Sequence, residues 1–475
     1  LGPRLGISVA LSADGTTALV GARDAEHLKG AAYVFHVSDA GSWSSSKTPT
    51  ATLTSQPGPA AEQLFGYSVA LSADGTTAFV GAPVTGGGED PPGAIYVFHV
   101  AAEDAWASSS TPTATLTATD GVIVGTSLAL SPDGTTLVAG APYLNNLAGG
   151  AYVFHVPSEG AWVSTSTPTA TVSNDDPIRA ADHEGDAVAI SGDGTTVLVS
   201  DGGPFEGSGG ALVYHASAED AWTTSSTPTA ILTDSTIHGA GSLGAGLAVS
   251  ADGTLAVIAS PKVGPVDVFH ASGEAAWAST STPTATLTKA GGSANDFFGR
   301  RVAVSGDGTA VFVTAPGVHN FRGAVYVFRV AGEGAWASSS APTATLTNSG
   351  GRVGDALEIG PAVSADGATA LAGAPEVTFE TGAAYVFHVA DASSWATSST
   401  PTAILTDSAL DQCVVPRLSG LKIAAAKASL KARGCRLGRV TRVRSTHRMG
   451  RVLSQNRKPG ARLSFNAKVN VKIGK

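Results

Sequence analysis

An Asp-Gly pair recurs seven times at near-constant spacing, and this periodicity restricts the possible folds more than any other feature. The pairs begin at Asp14, Asp74, Asp133, Asp193, Asp252, Asp307 and Asp366, with separations of 60, 59, 60, 59, 55 and 59 residues. Each joins two short apolar runs, as in "SADGTTALVGA" (12–22). Asp-Gly between alternating apolar residues is a strong short-range hairpin signal, because Gly accepts the positive φ that such turns need. The chain therefore contains seven copies of one unit.

Every copy reads as four strands. In the second, "GYSVALS" (66–72) alternates, "TAFVGA" (77–82) follows the turn, and a variable loop leads to "GAIYVFHV" (93–100). A further loop, "AAEDAWASSSTP", precedes "TATLT" (113–117). Alternation bounded by Gly, Pro, Asp and Ser marks half-buried strands, and residues 1–412 show no sustained 3.6-residue period. All seven tryptophans hold one repeat position: Trp43, Trp106, Trp162, Trp222, Trp277, Trp336 and Trp395. Seven four-stranded units bury their faces best as a closed ring of blades, which also removes exposed sheet edges. The expected fold is mainly β: a seven-bladed β-propeller over 1–407, a linker at 408–412, and a small α+β domain over 413–475. Seven equivalent tryptophans read as packing wedges between blades. A repeated His (His36, His99, His155, His215, His270 and His388, with Arg329 in the sixth unit) reads as a strand-end cap. These positions lie too far off the axis to share a metal at the ~2 Å of a Zn–N bond.

The repeat resembles the FG-GAP repeat of integrin alpha-chain propellers and their bacterial relatives. "LFGYSVALSADGTTAFVGAP" (64–83) and "FFGRRVAVSGDGTAVFVTAP" (297–316) carry the likeness, with Phe65-Gly66 and Gly81-Ala82-Pro83 the fullest match. The fourth unit departs most, having Glu184-Gly185 and Ser200-Asp201-Gly202. Relatives hold calcium in a D-x-D/N-x-D-G loop between strands one and two. Here the matching positions are Ala10, Ser12, Asp14 and Ala18 in the first unit, and Ala70, Ser72, Asp74 and Ala78 in the second. One carboxylate per loop cannot supply the six to eight oxygens calcium takes, so no cofactor is expected. "SPDGTTLVAG" (131–140) also resembles WD-like and lactonase-type propellers, some of them enzymes. No Ser-His-Asp arrangement or HExxH motif accompanies it.

Propeller topology puts the Asp-Gly turns and the loops from strand three to strand four on one face. The loops from strand two to three, and those between blades, lie on the other. The first set is nearly uniform, whereas the second diverges, as in "ARDAEHLK" (22–29), "PYLNNLAG" (142–149) and "PGVHNFR" (316–322). Divergent loops on a rigid ring are where binding sites are usually built. The densest polar group there is 173–187, where Asp175, Asp176, Asp182 and Asp186 form a weak candidate divalent-metal site and a solvated acidic loop is the stronger reading. The Ser/Thr/Pro loops, such as "STSTPTATL" (279–287), read as hairpins whose hydroxyls cap their own backbone, with O-glycosylation the alternative.

The net charge of −9 conceals a division. Residues 413–475 hold 17 Lys+Arg and no Asp or Glu, leaving 12 basic and all 38 acidic residues, a net of −26, to 1–412. Such asymmetry signals two domains with different partners. Both cysteines, Cys413 and Cys435, lie in the basic segment. That fits a disulfide formed in an oxidising compartment, two buried thiols being the alternative. A run of helix formers ends at Gly434, with Ile423, Ala426, Ala428 and Leu430 available for one buried face, and strands follow at 437–443, 450–456 and 467–473. The segment resembles the PASTA domain of bacterial wall-associated proteins through Val415-Pro416, Gly420-Leu421, Val452-Leu453-Ser454-Gln455, Pro459-Gly460 and "VNVKIGK". The resemblance implies a non-catalytic module associated with peptidoglycan, and a Cys413–Cys435 bridge would tie its lead-in strand to the helix end.

No apolar run approaches the ~18 residues of a membrane span. The chain begins at Leu1, which fits a removed signal peptide. The expectation is a secreted or surface-displayed binding or adhesion protein without catalysis. Its loop face would take a protein or glycan, and its basic module would take peptidoglycan or another anionic wall polymer. Nucleic acid is disfavoured by the acidic propeller and the lack of interleaved aromatics in the basic segment. The alternatives are a propeller enzyme of lactonase or glycan-lyase type, and a self-assembling structural protein.

Overall fold

The computed structural model describes the chain except for residues 1–2, 56–62, 85–92, 119–121, 145–148, 175–183, 203–208, 238–242, 262–263, 352–354, 358, 377–380, 409–411, 432, 434, 446–448 and 465–466. Seven antiparallel sheets of four strands each follow in chain order, every sheet built from consecutive strands. Blade 1 comprises Ser8–Leu11, Thr17–Ala22, Ala31–His36 and Ala51–Leu53. Blade 2 comprises Ser68–Leu71, Thr77–Ala82, Ala94–His99 and Ala114–Leu116. Its first strand starts two residues later than the alternation predicts, because Gly66 sits at φ 86° and takes the chain out of extended geometry. Blade 7 ends with Ala383–His388 and Ala403–Leu405, and its first strand, Ile359–Val363, carries an irregularity around Pro361.

The seven hydrophobic clusters of the ring lie between blades. Each combines residues of two neighbours and includes the Trp of the later blade. Trp106 packs with Leu19, Val34 and Leu53 of blade 1, and Trp162 with Phe79, Ile95 and Leu116 of blade 2. Trp43 packs with Leu371, Val386 and Leu405 of blade 7, so the last interface has the composition of the others. Among the described residues, no blade borrows a strand from the opposite end of the chain.

Two sets of parallel bridges fasten neighbours. Near the axis, Phe65 of blade 2 pairs with Gly30 of blade 1, and Leu5 of blade 1 pairs with Gly382 of blade 7. A Cβ on Gly66 would stand 2.4 Å from the Ala31 carbonyl oxygen, and one on Gly21 would stand 2.2 Å from the Gly66 carbonyl oxygen. The two glycines of the repeat signature thus meet backbone to backbone across the interface. At the rim, the Ser/Thr loop of each blade pairs with the fourth strand of the preceding one, from Ser109 with Leu53 round to Ser46 with Leu405. That cover removes the free edge of every sheet.

The C-terminal domain has strands Gln412–Val414, Cys435–Val443, Val452–Gln455, Arg462–Ser464 and Ala467–Gly474, with one helix, Ile423–Lys431. The strands beginning at Gln412 and Arg462 pair antiparallel, a small sheet absent from the sequence expectation of three strands. The strand beginning at Cys435 runs parallel to the last strand, which also pairs antiparallel with Val452–Gln455. Ala426 and Leu430 are buried with Val469, Val471 and Ile473, whereas Ala428 is exposed, contrary to expectation. At 100° per residue it lies about 200° from Ala426, on the far side of the helix. A disulfide joins Cys413 and Cys435 within this core.

Candidate functional site

The two faces of the ring differ in how their polar groups are used. On the turn face, Ser12 Oγ donates to Asp14 Oδ1 (2.6 Å), which also accepts from the Thr16 amide (3.0 Å). Trp43 Nε1 donates to the Gly15 carbonyl at 2.8 Å. The Trp bond recurs in all seven blades, Trp395 to Gly367 being the last. The tryptophan therefore packs one blade against the preceding one and ties its own strand-three-to-four loop to its own Asp-Gly turn. Burial raises the Asp14 pKa, but hydrogen bonds from Ser12 and Thr16 outweigh it and hold the carboxylate below its ordinary value. The Asp of the turn is thus engaged by hydroxyl and amide donors.

The repeated His has the same kind of role. His36 Nδ1 shares a hydrogen bond with Thr17 Oγ1 at 2.8 Å, and His99, His155, His215 and His388 do likewise with Thr77, Thr136, Thr196 and Thr369. Where the threonine is replaced, by Leu255 or Ala310, the cross-strand partner is His270 or Arg329. His270 thus persists without a threonine opposite it, and the other five histidines fasten their strand pairs through the threonine hydroxyl.

A glutamate three residues before the Trp reaches the preceding blade in units 2 to 6. Thr16 Oγ1 donates to Glu103, Thr76 to Glu159, Thr195 to Glu274 and Thr254 to Glu333, while Glu219 stands beside Asp133. Burial and the adjacent Asp193 raise the Glu274 pKa against the Thr195 hydroxyl, and Glu333 is raised chiefly by burial, with Asp252 adding to it. In units 1 and 7 the position is Ala40 and Ala392. Close to the axis, the residue after each turn Ser joins its counterpart in the next blade. Ala13 donates to Ala73, Ala73 to Pro132, Gly192 to Ala251, Ala251 to Gly306, Gly306 to Ala365, and Ala365 back to Ala13. The step from blade 3 to blade 4 is missing because Pro132 has no N–H.

The loop face presents aromatic side chains outward. Tyr143, Phe297 and Phe321 are 45%, 38% and 52% exposed. Arg23 lies over the Tyr67 ring, 4.9 Å from its centroid. Arg4 bridges Asp24 of its own blade and Glu376 of blade 7, an ionic contact across the closing interface. Arg301 Nη1 donates to the Ala245 carbonyl of blade 5 at 2.6 Å. Of the candidate metal group, Asp175, Asp176 and Asp182 lie outside the described residues, and Asp186 is exposed. Among the described residues, no group of three or more His, Cys, Asp or Glu is placed to hold a metal ion.

Sequence reading missed the buried acids of the fourth and fifth units. Asp267 replaces the tyrosine of "YVFH" and is fully buried, and Asp234 beside it is 3% exposed. Burial, and then the Asp234 charge, push the Asp267 pKa up to about 7. The signal was present as a carboxylate within an apolar strand, "VDVFH", where the other units carry Tyr or Leu.

In the C-terminal domain, Gln455 Oε1 accepts from the Leu418 amide and Gln455 Nε2 donates to the Pro416 carbonyl, fixing the lead-in segment. Alternation along Ala467–Gly474 buries Val469, Val471 and Ile473 and exposes Lys468 and Lys472. Lys468 pairs laterally with the exposed Arg436, so basic side chains stand in adjacent rows on one sheet face.

Two family models match parts of the chain. Residues 48–98 and 282–328 match the FG-GAP repeat model, and residues 414–475 match the PASTA domain model. No curated protein matches the chain. A solved structure described as "Structure of Dos1 propeller" aligns over 82% of this chain and 81% of that one, at 12% identity and a TM-score of 0.45. No helix among the described residues is long and apolar enough to cross a membrane. The chain is thus a propeller of seven four-stranded blades, two stretches of which match the FG-GAP repeat model, followed by a basic, disulfide-linked domain that matches the PASTA model.

Proposed function

We propose that this is a non-catalytic extracellular binding protein, in which the propeller's loop face engages a protein or glycan and the PASTA domain associates with peptidoglycan. The observation that carries the reading is the unequal use of the two faces. Turn-face polar groups bond to one another within and between blades, whereas the loop face presents aromatic and basic side chains outward on a rigid ring. A disulfide and the PASTA match fit an envelope location. The exposed basic rows around Arg436 and Lys468 suit a polyanionic wall polymer.

Co-sedimentation with purified peptidoglycan tests the wall assignment. The whole chain is expected in the pellet, and a chain ending at residue 407 is expected in the supernatant. The truncation is usable because the ring closes on itself before residue 407, through Leu5 with Gly382 and Ser46 with Leu405. Failure of the whole chain to pellet would overturn the assignment.

A further inference from the structure

Blade 6 departs from its neighbours in charge and in what its loops expose. Residues 289–352 contain Lys289, Arg300, Arg301, Arg322, Arg329 and Arg352 against Asp296, Asp307 and Glu333, in a propeller of net charge −26. Half of the propeller's basic residues thus fall in one blade and its flanking loops. Two of the exposed large apolar side chains, Phe297 and Phe321, belong to the same blade.

Both rings stand on left-handed backbone. Phe297 has φ 50°, and His319, Asn320 and Phe321 have φ 53°, 58° and 60°. Residues outside glycine adopt this region at a penalty of roughly 1–2 kcal/mol each, and strain of this kind gathers at functional sites. The corresponding positions in blades 1 and 2, Leu28 and Leu64, share the left-handed geometry but are aliphatic and only partly exposed.

The two segments are packed together. The Gly317 amide donates to the Asp296 carbonyl, and the Phe321 and Arg322 carbonyls accept from Ala356 and Leu357 of blade 7. The loop over 317–322 is therefore clamped between the start of its own blade and the start of the next. Arg322, His319 and Asn320 are exposed on it, and Arg300, partly exposed, follows Phe297 by three residues.

We propose that this cluster is a subsite for an acidic polysaccharide, with Phe297 and Phe321 stacking on sugar rings and Arg322 and Arg300 meeting uronate carboxylates. The proposal rests on the loop-face binding reading and deepens it. Phe has no polar group of its own and suits the apolar C–H face of a pyranose, while Arg pairs with a carboxylate in two parallel hydrogen bonds. A small basic patch on an acidic ring suits a ligand with one charge per sugar better than duplex nucleic acid, which carries one charge per ~1.7 Å.

Affinity electrophoresis of the whole chain through gels containing polygalacturonate, dextran, polyphosphate or no polymer tests this. Retardation by polygalacturonate and not by dextran is expected. Phe321→Ala and Arg322→Gln are each expected to weaken it roughly tenfold, the size of one lost stacking or charge-assisted contact. Phe321→Ala keeps every charge, so undiminished retardation of that variant would assign binding to the basic PASTA domain and overturn the proposal. Equal retardation by dextran, or stronger retardation by polyphosphate, would also overturn it. The thermal midpoint of each variant, expected to be unchanged because both side chains are exposed, separates lost binding from lost folding. Peptidoglycan pelleting by Phe321→Ala is expected to equal that of the parent chain, so the wall assignment and this subsite fail independently.

Discussion

The turn face and the loop face of the ring have the same scaffold beneath them and opposite polar economies. On the turn face, Asp14 and its six counterparts are held by Ser, Thr and amide donors, the tryptophans bond the turn glycines, and five glutamates reach the neighbouring blade. On the loop face, Arg322, His319, Asn320, Phe321 and Tyr143 point away from the ring. Repetition preserved side chains that bond to the repeat itself, while positions facing outward were free to diverge. Ser and Thr donors satisfy the turn carboxylate.

That contrast can be broken most severely at a tryptophan. Trp162→Ala removes a side chain only 4% exposed and the donor to the Gly134 carbonyl. A loss of about 3–5 kcal/mol is expected in chemical denaturation, whereas Tyr143→Ala on the loop face should cost under about 0.5 kcal/mol. Equal effects would abolish the distinction between the faces. Next in size is the disulfide of the C-terminal domain. Cys413→Ser with Cys435→Ser opens a 22-residue separation and should cost that domain roughly 3 kcal/mol. The propeller's unfolding transition in calorimetry should stay in place.

The buried acid of blade 5 gives a pH test. Asp267 titrates near 7 in the fold, above its unfolded value. Its neutral form is favoured by the native state, so its contribution to stability is complete below about pH 4 and is lost as pH rises through 7. Asp267→Asn should therefore raise the thermal midpoint at pH 8 relative to the parent and lose that advantage at pH 4. Glu274 and Glu333 act in the same direction on the turn face, whereas Asp14 and Asp74, whose values are lowered, contribute stability that is lost on acidification. A parent midpoint that rises steadily from pH 4 to 8 would contradict the Asp267 assignment. The smallest effect is expected at the gap in the axial ring. Pro132→Ala supplies an N–H for the Gly192 carbonyl, worth about 1 kcal/mol, but frees the unfolded chain by a comparable amount. The net change should lie within about 0.5 kcal/mol, with slowed amide exchange at residue 132 as the clearer readout.

Much of the fold was legible because the repeat supplied seven readings of the same element. The strand order, the blade count and the Trp position follow from alternation and spacing alone. Functional positions were harder to read for a physical reason. A site on divergent loops has no internal copy to compare with, and Phe297 or Phe321 reads in sequence like any core aromatic. Their exposure depends on what packs around each loop end, since Leu64 and Ala356 share the left-handed backbone and are less exposed, and spacing does not encode that packing. The buried pair Asp234 and Asp267 escaped notice because the two residues belong to different blades and meet only across an interface.

The sequence by itself determined the units: strand period, Asp-Gly turns, seven tryptophans, and a basic domain with two cysteines set apart from an acidic ring. These are local properties, fixed by side-chain alternation, turn chemistry and composition. Tertiary structure alone decided how the units join. It showed that the ring closes with no exchanged strand, through Leu5 on Gly382, Ser46 on Leu405 and Arg4 on Glu376. It also showed that each glutamate serves the blade before its own, and that blade 6 leaves Phe297, Phe321 and Arg322 exposed. Contacts between residues tens or hundreds of positions apart depend on the geometry of closure, and no local pattern carries that information.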